Sequence, residues 1–335
     1  MRPVTLSGTD LRVSRICLGT ANFGYLTEEE EAFRILDAFA EEGGTMLDTA
    51  NVYCRWVEGR DNCSEKVIGR WLSARGMHGK MVVATKGGHY AFSGEEPWRF
   101  SRVTEKCVRQ DMESSMEALG ENQLPFYWLH RDNPDMEAGE IVQMMEAFRA
   151  SGLFRFFGVS NWTAERLENA FAYGKEHRVK GLSAVSNHLC LARERPGQGG
   201  DPTVLTVDDA EEALHARTGI PLIPWGAAGQ GCFSQVEGTD EILQIKGFQA
   251  RYGGRYDLPE NHRMAEKLLK ISRRTGVSTM ALSVALLTLR PYQVIPVMAV
   301  SRLEQMRELF AADAAIEMLE QEDIRRELRA VMTEP

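Results

Sequence analysis

The sequence has no long hydrophobic run, no basic excess and no paired cysteines. No apolar stretch is long enough to cross a bilayer, and no cationic, apolar leader opens the chain, so we expect a cytoplasmic protein that does not bind membranes. The formal net charge of -9 argues against a general nucleic-acid binder but leaves room for a local basic pocket. The six cysteines are scattered without a CxxC pair, which favours free thiols over a disulfide framework.

Metal-site spacing and domain linkers are also absent. The seven histidines show no ligand pattern, and only His188-x-Cys190 forms a possible edge of a metal site. Because no further ligands cluster near this pair in the sequence, we expect no metal. A length of 335 residues would allow two domains, but no stretch rich in Gly, Ser and Pro divides the chain, so residues 1–335 are predicted to form one domain.

The sequence does contain a repeated alternation of strand-like and helical segments. Residues 4–13 predict a small hairpin with Gly8 and Asp10 at its turn. Eight apolar runs follow, at residues 16–20, 46–48, 81–85, 126–129, 156–159, 182–185, 222–224 and 293–297. Helical patterns separate them, at about 27–42, 64–75, 103–119, 137–150, 164–176, 207–216, 262–275 and 279–289, with two more from 303 and after 318. The residues Thr27 to Glu30 predict a capping box for the first helix.

Strands that alternate with helices pair in parallel, and eight such units are what a (β/α)8 TIM barrel requires. The alternative is a doubly wound open sheet, but the first strand-to-helix turn lacks a GxGxxG sequence. Two long loops, at about 188–205 and 226–260, follow the sixth and seventh strands. In a barrel they would lie at the face where sites are built.

Polar residues stand at the C-terminal ends of the apolar runs. Asp48, Lys86 and His130 each end one run, and Tyr53 follows Asp48 by five residues. A buried Asp48 and a buried Lys86 would need each other, and an ammonium near a phenol lowers the phenol's pKa, so Tyr53 could act as a general acid near neutral pH. His130 could hold a carbonyl oxygen. Each of these residues, considered alone, is better explained as structural. Because a barrel would bring all four to the same end, together they indicate a site.

Several motifs together resemble the aldo-keto reductase superfamily over nearly the whole chain. They are residues 18–24 (LGTANFG), 48–53 (DTANVY), 84–86 (ATK), 129–130 (LH), 158–161 (GVSN), 224–225 (PW) and 304–305 (EQ). The resemblance implies reversible hydride transfer between a nicotinamide cofactor and a carbonyl, with no metal. It assigns Tyr53 as the general acid, tuned by Lys86 in a pair with Asp48, and His130 as the residue that orients the carbonyl.

The resemblance also implies a dinucleotide site. Ser160 and Asn161 match the pair that holds the nicotinamide carboxamide, and Trp225 matches an aromatic residue that stacks on the nicotinamide. The loop at 226–231 has no bulky side chains, which would let its amides approach a pyrophosphate. The residues expected to bind the cofactor are Gly19, Thr20, Ala21, Asp48, Ser160, Asn161, Ser186, Trp225, Gly226, Ala227, Gly231, Ser301, Arg302, Gln305 and Glu308.

Three positions depart from the family pattern. Ser186 stands where the family usually has a glutamine, with Asn187 or a water as a substitute. Residues 299–302 have the sequence AVSR, where the family has a Gly-Ser-Arg-like segment that binds the adenosine 2′-phosphate. Leu309 stands where the family tends to have an asparagine. The pattern Ser301-x-x-Glu304 predicts a capping box at a helix N-terminus suited to phosphate, and Arg302 is either a 2′-phosphate ligand or a solvated charge. NADP(H) is therefore the favoured cofactor, and NAD(H) is the alternative.

The residues expected at the substrate mouth are Arg55, Trp56, His89, Tyr90 and Trp128. This mixture of aromatic walls and polar groups suits a polyhydroxylated or aromatic carbonyl compound, so the expected partner is a small aldehyde, ketone or sugar. Two rival functions use the same fold: a nucleotide-sensing regulatory subunit resembling potassium-channel β-subunits, and a non-redox elimination enzyme. The chain shows no obvious partner-binding extension, which favours a reductase. The sequence predicts no oligomeric state.

Overall fold

Six parallel strands form the central sheet of the computed structural model, which describes residues 1–195, 201–235, 241–242 and 254–333. The strands of the structure are β1 Pro3–Thr5, β2 Arg12–Ser14, β3 Cys17–Gly19, β4 Met46–Asp48, β5 Val82–Gly87, β6 Leu124–Leu129, β7 Phe154–Val159 and β8 Val297–Ala299. The sheet order is β7-β6-β5-β4-β3-β8, with every pair parallel, while β1 and β2 form a separate antiparallel hairpin. Consecutive order with β8 beside β3 is a circular arrangement and excludes the doubly wound sheet.

Regular strand pairing does not extend around the whole circle. The predicted strands at 182–185 and 222–224 form only isolated parallel bridges, Val159↔Val185, Val185↔Leu222 and Leu222↔Val294. Backbone hydrogen bonds continue through them, from Ser186 N to Val159 O and from Ile223 N to Val185 O. The eighth strand begins at Val297 instead of residue 293. The fold is the predicted α/β architecture of the (β/α)8 type, with two of its eight positions irregular.

Helices separate the strands on the outside of this ring. They are α1 Glu29–Glu41, α2 Cys63–Arg75, α3 Glu105–Leu119, α4 Ala138–Ala150, α5 Ala164–His177, α6 Asp209–Thr218, α7 Pro259–Thr275, α8 Thr279–Leu286, α9 Met306–Met318 and α10 Glu322–Thr333. Hydroxyl or carboxylate side chains accept a backbone N–H at four helix starts, namely Thr104, Thr163, Asp208 and Ser278. The capping box predicted at Thr27 is wrong, because the Thr27 hydroxyl instead donates to Ser301 O.

The hairpin closes one end of the barrel. Its residues Leu6, Leu11 and Val13 are buried in the same cluster as Phe126 and Trp128 of β6. Burying a large apolar side chain contributes roughly 1.5–3 kcal/mol, so this plug stabilises the end of the barrel opposite the strand C-termini. The other barrel end is left open for polar groups. No helix of the described residues is both long and apolar enough to cross a membrane.

Strand periodicity decides which residues face the barrel interior. Along β6, Phe126 and Trp128 belong to the interior cluster, whereas Tyr127 and Leu129 pack outward against the helices. The same alternation puts Met46 and Ala84 inside the barrel. Asp48 and Lys86 follow two residues later on the same strands, so they face the same side. The interior therefore changes from apolar to polar at the C-terminal ends of β4 and β5.

Candidate active site

Lys86 and Asp48 form a buried ion pair at the open end of the barrel. Lys86 Nζ lies 2.5 Å from Asp48 Oδ1, and the two side chains are 3% and 5% exposed. The ammonium also donates to Thr49 O at 2.8 Å and to Tyr53 Oη at 3.2 Å, so its three protons have three acceptors. Burial alone would lower the pKa of Lys86, but the charges of Asp48 and Tyr53 and the hydrogen bonds to both together outweigh it, and the pKa is raised. Lys86 is therefore a fixed cation beside the phenol.

Tyr53 lies on the turn after β4, with its ring half-buried. Because Lys86 donates to Tyr53 Oη, the phenol's own proton is directed elsewhere. Burial raises the pKa of Tyr53, and Lys86 opposes this shift only in part. The sequence-based expectation of a lowered pKa is thus wrong for the protein alone, since the cost of burying a phenolate exceeds the attraction of the ammonium.

His130 completes this group from the end of β6. Its ring centroid lies 6.1 Å from that of Tyr53, in an edge-on arrangement. Burial, together with the neighbouring His89, Arg131 and Lys86, holds the pKa of His130 well below its usual value. The imidazole is therefore neutral. The structure brings all four residues predicted for catalysis, Asp48, Tyr53, Lys86 and His130, to one place.

The mouth around Tyr53 differs from the sequence-based prediction at one residue. Trp128 does not line it, because the side chain is fully buried inside the barrel against Phe126. Phe92, by contrast, stands at the mouth, 6.1 Å from Trp56 by ring centroids. Sequence reasoning missed Phe92 because it lies in a polar stretch without strand or helix periodicity.

Three polar residues meet near the predicted nicotinamide position. Ser160 Oγ donates to Ser186 O, and Asn161 Nδ2 donates to Ser160 Oγ at 3.0 Å and to His130 O at 3.2 Å. The hydroxyl oxygen of Ser186 is buried, and none of the described residues forms a hydrogen bond with it. An orphaned hydroxyl of this kind calls for an external partner, such as a carboxamide.

Asn187 does not provide that partner. Its Oδ1 accepts from the backbone of Asn161 and Trp162, and its Nδ2 donates to Trp162 O and Glu211 Oε2. With both ends of its amide engaged, Asn187 ties the ends of two strands together. The substitution of Asn187 for the missing glutamine is therefore not supported.

Trp225 begins the loop predicted to hold a pyrophosphate. Its ring is half-buried and lies 4.6 Å from the ring of His188. Gly226 has φ +73°, and a Cβ there would lie 2.5 Å from the His188 ring, so only glycine fits at this turn. Gly231, with φ +80°, ends the same loop. Within the described residues, the amides of Ala227 and Ala228 donate to no protein acceptor, which leaves them available to an anion.

In the segment predicted to bind a 2′-phosphate, residues 299–302, side chains of the protein already occupy several backbone amides. Gln305 Oε1 accepts from Ser301 N at 2.7 Å and from Arg302 N at 3.1 Å. The predicted capping box between Ser301 and Glu304 is therefore wrong, because Gln305 and not Glu304 is the acceptor. Leu303 N donates to Glu31 Oε1 at 2.6 Å. Glu308 accepts the hydroxyl of Ser278. Arg302 is exposed and forms no ion pair among the described residues.

The remaining predicted cofactor residues lie at the end of β3. Gly19 leaves no room for a side chain, because a Cβ would lie 3.0 Å from Val297 Cγ1 of β8. The Thr20 hydroxyl donates to Asp48 O at 2.9 Å and contacts Ser64 Oγ at 2.8 Å, which holds the strand end that carries Asp48. Ala21 follows, half-buried, at the mouth. In the structure, the Thr20 hydroxyl thus supports the end of β4 through its bonds to Asp48 and Ser64.

His188 and Cys190 lie with Glu194 in a group whose ligand atoms are within 4.8 Å of one another. Glu194 Oε1 accepts from Tyr256 Oη at 2.9 Å, and Glu194 Oε2 lies 2.7 Å from Arg255. Cys190 Sγ donates to Ala192 O, and burial raises the pKa of this thiol to about 12. A guanidinium beside the carboxylate and a protonated thiol are poor conditions for a cation.

The barrel and the tyrosine–lysine–aspartate–histidine group at its mouth define a class of (β/α)8 oxidoreductase sites. Residues 15–326 match the model of the Aldo/keto reductase family, and the chain belongs to that family. It is 28% identical over 308 residues to norsolorinic acid reductase stcV of Emericella nidulans, covering 88% of this chain and 73% of that protein. It is 27% identical over 310 residues to the uncharacterized oxidoreductase YrpG of Bacillus subtilis, covering 92% and 89%.

A solved structure shares the fold. The holo form of aldo-keto reductase AKR11C1 from Bacillus halodurans aligns with a TM-score of 0.69 at 21% identity, covering all of this chain and 97% of that one. This likeness supports the barrel architecture. The family membership makes the chain an oxidoreductase of the aldo-keto reductase type.

Proposed function

We propose that this protein reduces the carbonyl group of a small aldehyde, ketone or sugar to an alcohol, using a reduced nicotinamide dinucleotide. The observation that carries the proposal is the Lys86 ammonium, which is saturated by Asp48, Thr49 and Tyr53 and leaves the phenol's own proton for another acceptor. A proton donor next to a neutral imidazole at the mouth of a barrel is what carbonyl reduction requires. Membership of the aldo-keto reductase family and the names of the relatives agree with it.

Each residue of the group has a distinct task in this reaction. When bound, the dinucleotide supplies a hydride to the carbonyl carbon. Tyr53 Oη gives its proton to the carbonyl oxygen, and Lys86, held charged by Asp48, stabilises the phenolate that results. Neutral His130 donates to the carbonyl oxygen and orients it toward Tyr53. The raised pKa of Tyr53 keeps its hydroxyl protonated and ready to donate at neutral pH.

The residues around the mouth fit a dinucleotide. Ser186 offers an unpaired buried hydroxyl for a carboxamide, beside Ser160 and Asn161. Trp225 presents a half-buried ring, and the Gly226–Ala228 turn presents amides to a pyrophosphate. These contacts come from the ends of neighbouring strands on one face of the barrel, where (β/α)8 enzymes build their sites.

NADP(H) is our first candidate, with Arg302 as the cation for the 2′-phosphate. NAD(H) is the second, and one observation favours it: the amides of Ser301, Arg302 and Leu303 are already bonded to Gln305 and Glu31. A 2′-phosphate at this segment would have to compete with a carboxylate of its own sign.

Replacing Tyr53 by phenylalanine tests the proposed reaction. We expect Tyr53→Phe to lower kcat for carbonyl reduction by about 10²-fold or more, since it removes the proton donor. Quenching of tryptophan fluorescence by the dinucleotide should stay nearly unchanged, because Tyr53 touches only the reacting end. Full activity in Tyr53→Phe would exclude Tyr53 as the acid, and failure of both dinucleotides to bind the wild-type protein would overturn the function.

The same measurements separate the two rival functions. A regulatory subunit resembling potassium-channel β-subunits would bind the dinucleotide but turn over carbonyls slowly or not at all. An elimination enzyme would form product without net loss of the reduced-nicotinamide absorbance. Steady loss of that absorbance with a carbonyl panel is the outcome we expect.

A further inference from the structure

Five aromatic rings, including that of Tyr53, form a closed circuit of neighbours. Ring centroids are 6.2 Å apart for Tyr53 and Trp56, 6.1 Å for Trp56 and Phe92, and 5.2 Å for Phe92 and His89. They are 4.8 Å apart for His89 and His130, and 6.1 Å for His130 and Tyr53. We call these five residues the aromatic circuit. Its two reacting members, Tyr53 and His130, stand together on one side, facing Trp56, Phe92 and His89.

Trp56 and Phe92 are much more exposed than large apolar residues usually are. Their exposed fractions are 43% and 45%, and Tyr25 packs edge-on against Trp56 from outside the circuit. Apolar surface left uncovered beside a reactive hydroxyl marks the place where a ligand would be desolvated. Edge-on rings at this spacing favour an aromatic guest over a saturated one, because ring edges and faces attract each other.

His89 adds one polar requirement to this apolar frame. Its Nδ1 lies 2.9 Å from Tyr90 O, and a carbonyl oxygen only accepts, so Nδ1 carries the proton. Burial, with Arg131, lowers the pKa of His89 to about 4, so the ring holds a single proton at neutral pH. Its Nε2 is therefore an acceptor. No group of the described residues donates to this Nε2, although the side chain is only 7% exposed.

Two arginines next to the circuit are already paired. Arg131 lies 3.0 Å from Asp201 and Arg55 lies 2.6 Å from Asp61. Asp201 also accepts the hydroxyl of Tyr90 at 2.6 Å. Because both guanidinium groups have a carboxylate partner, the part of the mouth that the structure describes favours a neutral substrate over one that carries a carboxylate or phosphate. His89 Nε2 offers an acceptor for a single hydroxyl, whereas a sugar carries many.

We infer that the substrate is a neutral aryl aldehyde or ketone that carries a phenolic hydroxyl, and that His89 Nε2 accepts the proton of that hydroxyl. The inference rests on the proposed carbonyl reduction and adds its substrate class. The aryl ring lies against Trp56 and Phe92, with the carbonyl at Tyr53 and His130. His89 is a specificity-determining residue, since it is neutral, oriented by Tyr90 and adjacent to His130.

A small panel of aldehydes tests the inference. We would measure kcat/KM for benzaldehyde, its three monohydroxy isomers and cyclohexanecarbaldehyde, by loss of the reduced-nicotinamide absorbance, in wild type, His89→Phe, His89→Gln and Trp56→Leu. Ratios between substrates are compared across variants, so intrinsic reactivity cancels. Calorimetric dissociation constants for the same compounds, measured with the oxidised dinucleotide bound so that no reduction occurs, show whether each preference arises in binding.

Changes at the two positions should act on different ratios. His89→Phe keeps a ring but removes the acceptor, so preference for the best hydroxybenzaldehyde over benzaldehyde should fall about 10-fold, and His89→Gln should recover part of it. Trp56→Leu should lower preference for benzaldehyde over cyclohexanecarbaldehyde by about 3- to 10-fold. His177→Phe and Phe100→Leu, which change a surface histidine and an exposed phenylalanine outside the circuit, should leave both ratios unchanged.

The outcomes distinguish the inference from the function beneath it. If aldehydes are reduced but neither ratio moves in His89→Phe or Trp56→Leu, the inference is wrong and carbonyl reduction stands. If the largest loss in His89→Phe is for cyclohexanecarbaldehyde, His89 has a general role and the inference is also wrong. If neither dinucleotide binds and no aldehyde is reduced, the proposed function itself fails.

Discussion

Two buried carboxylates near the mouth show how the surroundings of a side chain decide its role. Asp48 is buried with a cation 2.5 Å away, whereas Glu65 is fully buried among neutral donors, of which the hydroxyl of Thr85 bonds to one of its oxygens. No cation lies beside Glu65 among the residues that the structure describes. Burial raises the pKa of Glu65 to about 7. A buried acid without a cation is thus held largely neutral, while the acid with a cation fixes a charge for the reaction.

Glu65 gives the protein a pH-dependent stability. The unfolded chain releases this proton near pH 4.5, and the native state keeps it until about pH 7, so the native state binds more protons between these values. Stability therefore falls as pH rises from 4.5 to 7, by an order of 2–3 kcal/mol from this group. We therefore compare the free energies of unfolding of Glu65→Gln and wild type by urea unfolding. The variant's stability relative to wild type should rise by about that amount between pH 5 and pH 7.5.

Glu113→Gln, on the exposed side of α3, controls for the loss of one acidic side chain. Its difference from wild type should change far less across the same pH interval. A difference between Glu65→Gln and wild type that is constant with pH would show that Glu65 is ionised in the native protein at pH 5.

At the scale of elements, the segment from Asp201 to Val207 crosses the mouth and ties four strand ends together. Asp201 pairs with Arg131 and accepts from Tyr90, and Leu205 N donates to Asn161 Oδ1 at 3.1 Å. The backbone of His188 bonds to Leu205 and Val207. The segment thus contacts both the substrate mouth and the predicted nicotinamide residue Asn161.

Removing the Asp201 charge should loosen this segment. The Arg131 side chain is 11% exposed, so Asp201→Asn leaves a mostly buried guanidinium unpaired, and we expect a loss of about 1–3 kcal/mol in urea unfolding. Limited proteolysis should also cut the segment faster. Asp61→Asn is the matched control: its partner Arg55 forms an exposed pair, and the loss there should be about 0.5 kcal/mol or less. Equal losses in the two variants would contradict the anchoring role.

The sequence predicted the strand ends better than the contacts between loops. Asp48 and Lys86 were predictable because strand periodicity and apolar flanks put both at the barrel interior. Phe92 and the Leu205–Asn161 hydrogen bond were not, because they join segments distant in the chain that have no periodic pattern. Trp128 was misplaced although it lies in a strand: the alternation along β6 puts it inside the barrel with Phe126, below the mouth.

The whole molecule brings its first and last barrel units together at the cofactor's predicted far end. β3 pairs with β8, and from the loop and helix after β3, Asn22 donates to Ser301 Oγ at 2.8 Å while Glu31 accepts from Leu303 N. This closure fixes the N-terminus of the turn before α9. It also places Glu31 where the resemblance implies a 2′-phosphate. The contacts that close the barrel therefore involve residues that would also affect the choice between NADP(H) and NAD(H).

Cofactor choice can be read from the stability of the whole protein. A ligand that binds only the native state raises its stability by about 2.7 kcal/mol at a concentration 100 times Kd, so the shift in Tm ranks NADPH against NADH. If Arg302 binds the 2′-phosphate, Arg302→Ala should reduce the NADPH shift and leave the NADH shift unchanged, while Glu31→Gln should increase the NADPH shift. Arg326→Ala on α10 and Glu29→Gln, whose carboxylate pairs with Arg70, are the matched controls. Equal NADPH and NADH shifts in wild type and in both variants would assign the protein to NAD(H)-type recognition without a 2′-phosphate contact.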